Sequence, residues 1–142
     1  MNISARNQFS GKIEAIKAGA INTEVDLLIA GGERIVAIVT NDSVKSLGLA
    51  VGKEATAIVK ASSVLVQTDG SRFRLSARNS LAGTVKKLTL GPVSAEISLS
   101  LKGGAEVHAT ITHDAAIELG IKEGGYATAI IKASSVILGV SV

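Results

Sequence analysis

Hydrophobic and polar positions alternate along most of this chain, and the alternation predicts strands. From Ile21 it is clean: Ile21, Thr23, Val25, Leu27 and Ile29 share one face, with Asn22, Glu24 and Asp26 on the other. Ile3–Asn7 reads as a short extended segment, and Gly11–Lys17 alternates around Ile13 and Ile16. Gly31-Gly32 suits a two-residue hairpin turn into Arg34–Thr40, a near-continuous apolar strand expected to be buried on both faces. Thr40-Asn41-Asp42 starts a helix of roughly two turns, with Val44 and Leu47 on one face and Gly48 closing it. After Gly52 a last strand runs into Lys60.

The same pattern then returns 72 residues later. Ala55-Thr56-Ala57-Ile58-Val59-Lys60-Ala61-Ser62-Ser63-Val64 reappears as Ala127-Thr128-Ala129-Ile130-Ile131-Lys132-Ala133-Ser134-Ser135-Val136. Ser4-Ala5-Arg6-Asn7 maps onto Ser76-Ala77-Arg78-Asn79, and aligning 3–66 with 75–138 without a gap gives 25 identities in 64 positions. The second copy repeats the hairpin at Gly103-Gly104 and the helix from His113-Asp114 to Leu119. So long a period means two copies of a small domain. The division expected is 1–66, a polar linker 67–74, and 75–142. About five strands and one short helix per copy predict an all-β protein of two tandem OB-like Greek-key barrels.

Composition narrows the function. With 46% hydrophobic residues the 142-residue chain is globular, and each copy is near the lower size limit for a core, so packing between copies or subunits is expected. No cysteine excludes disulfides and thiolate chemistry. No run of apolar residues approaches 18 and the N-terminus has no cleavable apolar pattern, so no membrane association and a cytoplasmic setting are expected. Residues 1–66 carry 7 basic and 6 acidic side chains and residues 67–142 carry 8 and 6; with Phe9, Phe73 and Tyr126 the sole aromatics, nucleic-acid binding is not expected.

What remains is the Lys-Ala-Ser-Ser ending, which has no use in a core. A cation, two hydroxyls and backbone N–H groups at a strand end offer donors and few acceptors, as an oxyanion requires. A tetrahedral dianion with no proton at neutral pH fits a donor-only site. A phosphate monoanion carries a proton that wants an acceptor. Sulfate is a small dianion of this kind, so cavity size must separate it from larger ones of the same charge and shape.

The pairing of Ser-Ala-Arg-Asn with Lys-Ala-Ser-Ser-Val, around a Gly-Gly hairpin and a short helix ending Leu-Gly, resembles the molbindins, cytoplasmic molybdate-binding proteins built from Mop (TOBE) domains. The resemblance covers both copies and is greatest to the two-domain form. It implies six domains around a threefold axis, hence a homotrimer. It also implies sites shared between domains, with Ser4, Arg6, Lys60 and Ala61 in the first copy and Ser76, Arg78, Lys132 and Ala133 in the second. Ser62 and Ser134 add hydroxyl and N–H donors. Regulators in the family add a serine at the helix start, which is Ser43 here but Ala115 in the second copy, where free helix-start N–H groups are expected to serve instead.

Other readings are weaker. Gly48-Leu49-Ala50-Val51-Gly52-Lys53 is one residue short of a phosphate loop and is followed by Glu54. Asn7 and Asn79 read as backbone-bonding residues, Glu24/Glu96 as strand-face and Asp42/Asp114 as helix-start residues. His108 and His113 have no counterparts and read as surface or helix-start positions. No nucleophile–base constellation recurs, so no enzyme and no cofactor are expected. The leading reading is storage of molybdate or tungstate. The alternative is a molybdate-sensing module acting through a protein partner, disfavoured because linker and termini leave no room for an added DNA- or nucleotide-binding domain.

Overall fold

A computed structural model describes residues 2–69 and 72–142. Gly70 and Ser71, within the expected linker, lie outside the described residues. The first copy contributes β1 (Asn7–Ala18), β2 (Asn22–Ile29), β3 (Arg34–Thr40), α1 (Asn41–Leu47), β4 (Glu54–Val59) and β5 (Val64–Gln67). The second contributes β6 (Asn79–Leu90), β7 (Ser94–Leu101), β8 (Glu106–Thr112), α2 (His113–Glu118), β9 (Tyr126–Ile131) and β10 (Ile137–Gly139). Single 3-10 turns at Ala61–Ser63 and Ala133–Ser135 carry the Lys-Ala-Ser-Ser endings.

The fold is all-β: two five-stranded antiparallel sheets, each curled so that its outer strands meet. Their strand orders are β10-β4-β1-β2-β3 and β5-β9-β6-β7-β8. The last strand of each copy has therefore crossed to the other copy's sheet. Ile137–Gly139 pairs with Thr56–Ile58, and Val64–Gln67 pairs with Thr128–Ile131. One hydrophobic cluster runs through both copies, from Phe9, Val25 and Ile35 to Leu81, Leu99 and Val107. Sharing a strand and a core answers the size problem that each copy has alone.

Several local expectations change. Ile3–Arg6 is not a strand, and β1 is one continuous element whose register shifts between Ile13 and Ala15. That bulge is why Ile13 and Ile16, three apart, both turn inward. The Gly-Gly hairpin is longer than two residues: Ile29 N–H donates to Glu33 C=O and Gly32 N–H to Ile29 C=O, leaving Ala30, Gly31 and Gly32 in the loop. The fifth strand lies after the Lys-Ala-Ser-Ser turn, not at Ile3–Asn7, and ends at Gln67. Thr40 caps α1, its Oγ1 accepting from Ser43 N–H at 3.1 Å.

The two copies meet backbone to backbone. At the hairpin tips a Cβ on Gly103 would stand 2.5 Å from Gly31 O, so both positions need glycine for this approach. Deeper in, each copy's asparagine reaches across. Asn79 Oδ1 accepts from Val36 N–H at 2.7 Å and its Nδ2 donates to Val36 C=O at 2.8 Å. Asn7 does the same to His108, at 2.7 Å and 2.8 Å. Each side-chain amide thus imitates a strand partner for one residue, and both asparagines are only 1% exposed.

Candidate oxyanion site at the joint of the repeats

Strand register brings the two motifs of each copy together. Asn79 stands opposite Ile131, so Ser76–Arg78, just before β6, and Lys132–Ser134, just after β9, emerge at the same end of an antiparallel pair. Asn7 opposite Val59 does the same for Ser4–Arg6 and Lys60–Ser62. Both closing motifs then cross the joint: the turn Ala133–Ser135 packs on β3 and the turn Ala61–Ser63 packs on β8.

A cavity of ≈ 410 Å³ is lined by Ser76, Arg78, Lys132, Ala133 and Ser134, with Ile38 from the other copy. These are five of the six second-copy residues expected from the sequence. The 3-10 turn explains the donors. Ser135 N–H is used internally, donating to Lys132 C=O at 2.9 Å, whereas the two N–H groups before it, on Ala133 and Ser134, have no acceptor within such a turn. The same bond, Ser63 N–H to Lys60 C=O at 2.9 Å, leaves Ala61 and Ser62 equivalent. In the first copy Arg6 lines a different cavity of ≈ 320 Å³ with Gln8, Phe9, Glu106 and His108; Ser4, Lys60, Ala61 and Ser62 are not among its lining residues.

The arginines are held by acidic residues that periodicity alone reads as strand-face positions. Arg78 forms a two-bond pair with Glu24, and Arg6 Nη1 lies 3.2 Å from Glu96 Oε2. Each pair crosses the joint. Being half exposed, such pairs are worth at most about 1 kcal/mol, so they orient the guanidinium more than they hold the copies together. Arg78 meets Glu24 through its two Nη atoms, which leaves its Nε edge for a second anion.

Ser43 and Ala115 are not brought to either cavity. At the helix starts Ser43 N–H and Ala115 N–H donate to the cap oxygens of Thr40 and Thr112 at 3.1 and 3.0 Å. Ser43 retains its hydroxyl, 2.8 Å from Thr40 Oγ1. Ala115 has no donor to offer.

Two acid–base groups escaped the sequence reading. His108 is not a surface residue: it sits in mid-β8 with its side chain 20% exposed, its Nδ1 3.0 Å from Ser98 Oγ. Asp26, at the position equivalent to Ser98, has a buried Oδ1 without a hydrogen-bond partner among the described residues, and burial, with Glu24 adding to it, raises its pKa. His113 does start α2, with Nδ1 2.8 Å from Gly91 O. Across the duplication Glu14–Arg34 becomes Lys86–Glu106, the same ion pair with its polarity reversed. No single residue in that pair would signal it; only the aligned copies do.

The TOBE domain model matches residues 3–66 and again 75–138. The chain belongs to the TOBE-domain family. Relatives include the molybdenum transport protein ModE of Herbaspirillum seropedicae, 44% identical over 140 residues, which are 99% of this chain and 52% of that protein. The molybdenum-pterin-binding protein MopA of Rhodobacter capsulatus is 41% identical over 138 residues, 97% of this chain and 52% of that protein. The chain thus spans about half the length of the curated relatives it matches. A solved structure of the cytoplasmic molybdate-binding protein ModG, with molybdate bound, superimposes with a TM-score of 0.96 at 55% identity, covering 99% of this chain and 100% of that one. The tandem TOBE architecture, exchanged strands included, is therefore laid over a molybdate-loaded relative along its whole length.

Proposed function

We propose that this TOBE-domain chain binds molybdate or tungstate at the joints between its domains and stores or buffers the anion in the cytoplasm, without catalysing a reaction. One observation carries the reading: Ser76, Arg78, Lys132, Ala133 and Ser134 converge on a single cavity as two cations, two hydroxyls and turn N–H groups. The Ser4, Arg6, Lys60, Ala61 and Ser62 set carries the same groups at the other joint, where Arg6 opens into a separate cavity. Donors of this kind suit a fully deprotonated dianion and disfavour a protonated one. Similarity to the molybdate-loaded ModG structure supports the same ligand.

The helix-start residues enter only if copies of the chain assemble. Ser43 lies away from the cavity of its own chain, so a site using it draws α1 from a neighbour. Exposed apolar positions recur in matched pairs, Ile3 with Leu75, Ile21 with Val93 and Leu65 with Ile137, which a single chain leaves without a partner. A homotrimer, without nucleic acid or membrane as partners, accounts for both. Light scattering during size exclusion is expected to give three times the 14.4 kDa chain mass, with molybdate and not phosphate producing saturable heat on titration. A monomer, or equal binding of phosphate, overturns this function.

A second reading, an anion-sensing module acting through a protein partner, has one observation in its favour: the chain covers only about half of ModE and MopA. Storage is preferred because a tandem pair of this length makes up the whole of the ModG chain.

If Ser43 does serve a neighbour's site, the sites are unequal. A buried hydroxyl to an anion is worth about 1.5–3 kcal/mol, and Ala115 offers neither hydroxyl nor free N–H. A biphasic isotherm is expected, with Ser43→Ala merging the phases towards the weaker. An unchanged isotherm in Ser43→Ala leaves Ser43 as a capping residue only.

A further inference from the structure

The two copies differ in one polar corner next to the arginines. Where the first copy has Asp26 and Val36, the second has Ser98 and His108. His108 Nδ1 lies 3.0 Å from Ser98 Oγ and 3.5 Å from Arg6 Nη2, and its Nε2 lies 4.0 Å from Glu106 Oε2. Arg6 in turn meets Glu96, and Glu106 is paired with Lys86. The charged groups facing the imidazole are therefore Arg6 from the segment before β1, Lys86 from β6, Glu96 from β7 and Glu106 on its own strand. At the equivalent place beside Arg78 stands Val36, which cannot titrate.

Resting on the oxyanion reading above, we propose that His108 is a positioning residue that couples the Arg6 site, and not the Arg78 site, to pH. In the neutral imidazole the fitting tautomer carries its proton on Nε2, towards Glu106. The Nδ1 lone pair then accepts from the Ser98 hydroxyl and from Arg6. The guanidinium is latched between Glu96 and His108. When Nδ1 takes a proton from solvent it becomes a donor to Ser98 Oγ, and Arg6 loses its acceptor and faces a like charge. Both consequences favour an incoming dianion: Arg6 is released towards it, and a second cation stands beside the site. By linkage the bound dianion must raise the proton affinity of His108 equally. Burial first, then the Arg6 charge, hold the imidazole below its ordinary 6.5, with Glu106 and Glu96 opposing, so the latched form prevails near neutrality.

The test titrates the intact protein with micromolar sodium molybdate between pH 8 and pH 5. The Arg78 class of sites serves as internal control for protonation of the ligand. Wild type is expected to gain ~5-fold or more in affinity at the Arg6 class as pH falls, the lower end of ordinary coupling between sites. His108→Val and His108→Gln should both lose that slope while still binding, and the Asp26→Ser, Val36→His exchange should install it at the Arg78 class. In parallel, the NMR-detected His108 titration should move up when molybdate is added. Equal slopes in wild type and both His108 variants, or an imidazole titration indifferent to molybdate, overturn the coupling alone. Absence of molybdate binding to wild type at any pH overturns the oxyanion reading, and the coupling with it.

Discussion

Replacing Asn79 with Ala is expected to cost this protein about 2–5 kcal/mol. The Asn79 amide satisfies both the N–H and the C=O of Val36 at 2.7 and 2.8 Å, in a place only 1% exposed. Each such bond is worth about 1 kcal/mol when present, but each buried backbone group left unpaired costs about 1–3. Val36 would be left with two. In a domain of this size the loss corresponds to roughly 5–15 °C in Tm. Asn79→Asp separates hydrogen bonding from packing. It keeps the acceptor for Val36 N–H but sets a carboxylate against Val36 C=O, so it should be no better than Ala. Asn7→Ala should behave alike through the His108 backbone. A melt of Asn79→Ala within a degree of wild type would show that the copies are joined by their apolar core alone.

Arg78→Ala and Lys132→Ala should leave the fold intact and weaken the anion site. Each removes a charge-assisted donor worth roughly 1.5–3 kcal/mol, which is ~10- to 150-fold in affinity. Arg78 is half exposed and its pair with Glu24 contributes little to stability, so the ligand-free melt should move by no more than a degree or two. Arg6→Ala and Lys60→Ala are expected to repeat this at the other joint. Arg78→Lys should recover only part of the loss, because an ammonium cannot hold Glu24 through two Nη atoms and still present a free edge. Calorimetry showing the Arg6→Ala, Arg78→Ala double variant binding molybdate at full stoichiometry would leave both tetrads structural.

Much of this was legible because duplication repeats each signal. Alternation from Thr23 to Ile29 is buried and exposed as the pattern says, and Lys60 and Lys132 do end their strands in hydroxyl-bearing turns. The exchange of β5 and β10 was not legible. Three or four apolar residues after a turn can pair with either sheet, since the two sheets present near-identical edges, Thr56–Ile58 and Thr128–Ile130. Local sequence carries no information on which one wins. Asn7 and Asn79 were readable as backbone-bonding residues, but not that the backbone belongs to the other copy. The same limit hid the roles of Glu24 and Glu96: a polar residue on a strand face looks alike whether it meets water or an arginine from across the joint. His108 was misplaced for a related reason. Its burial comes from Arg6, Ser98 and Glu106, the first of them 102 positions away in the chain.

The donor-rich oxyanion sites at the joints are the central claim, and crystals grown with molybdate test it most directly. Anomalous difference maps at the molybdenum edge should place a peak within hydrogen-bonding reach of Arg78, Lys132 and the Ala133–Ser134 turn, and its counterpart beside Arg6, Lys60 and Ala61–Ser62. Molybdenum peaks confined to other surfaces, with both arginines and both lysines free of ligand at saturating molybdate, would contradict it.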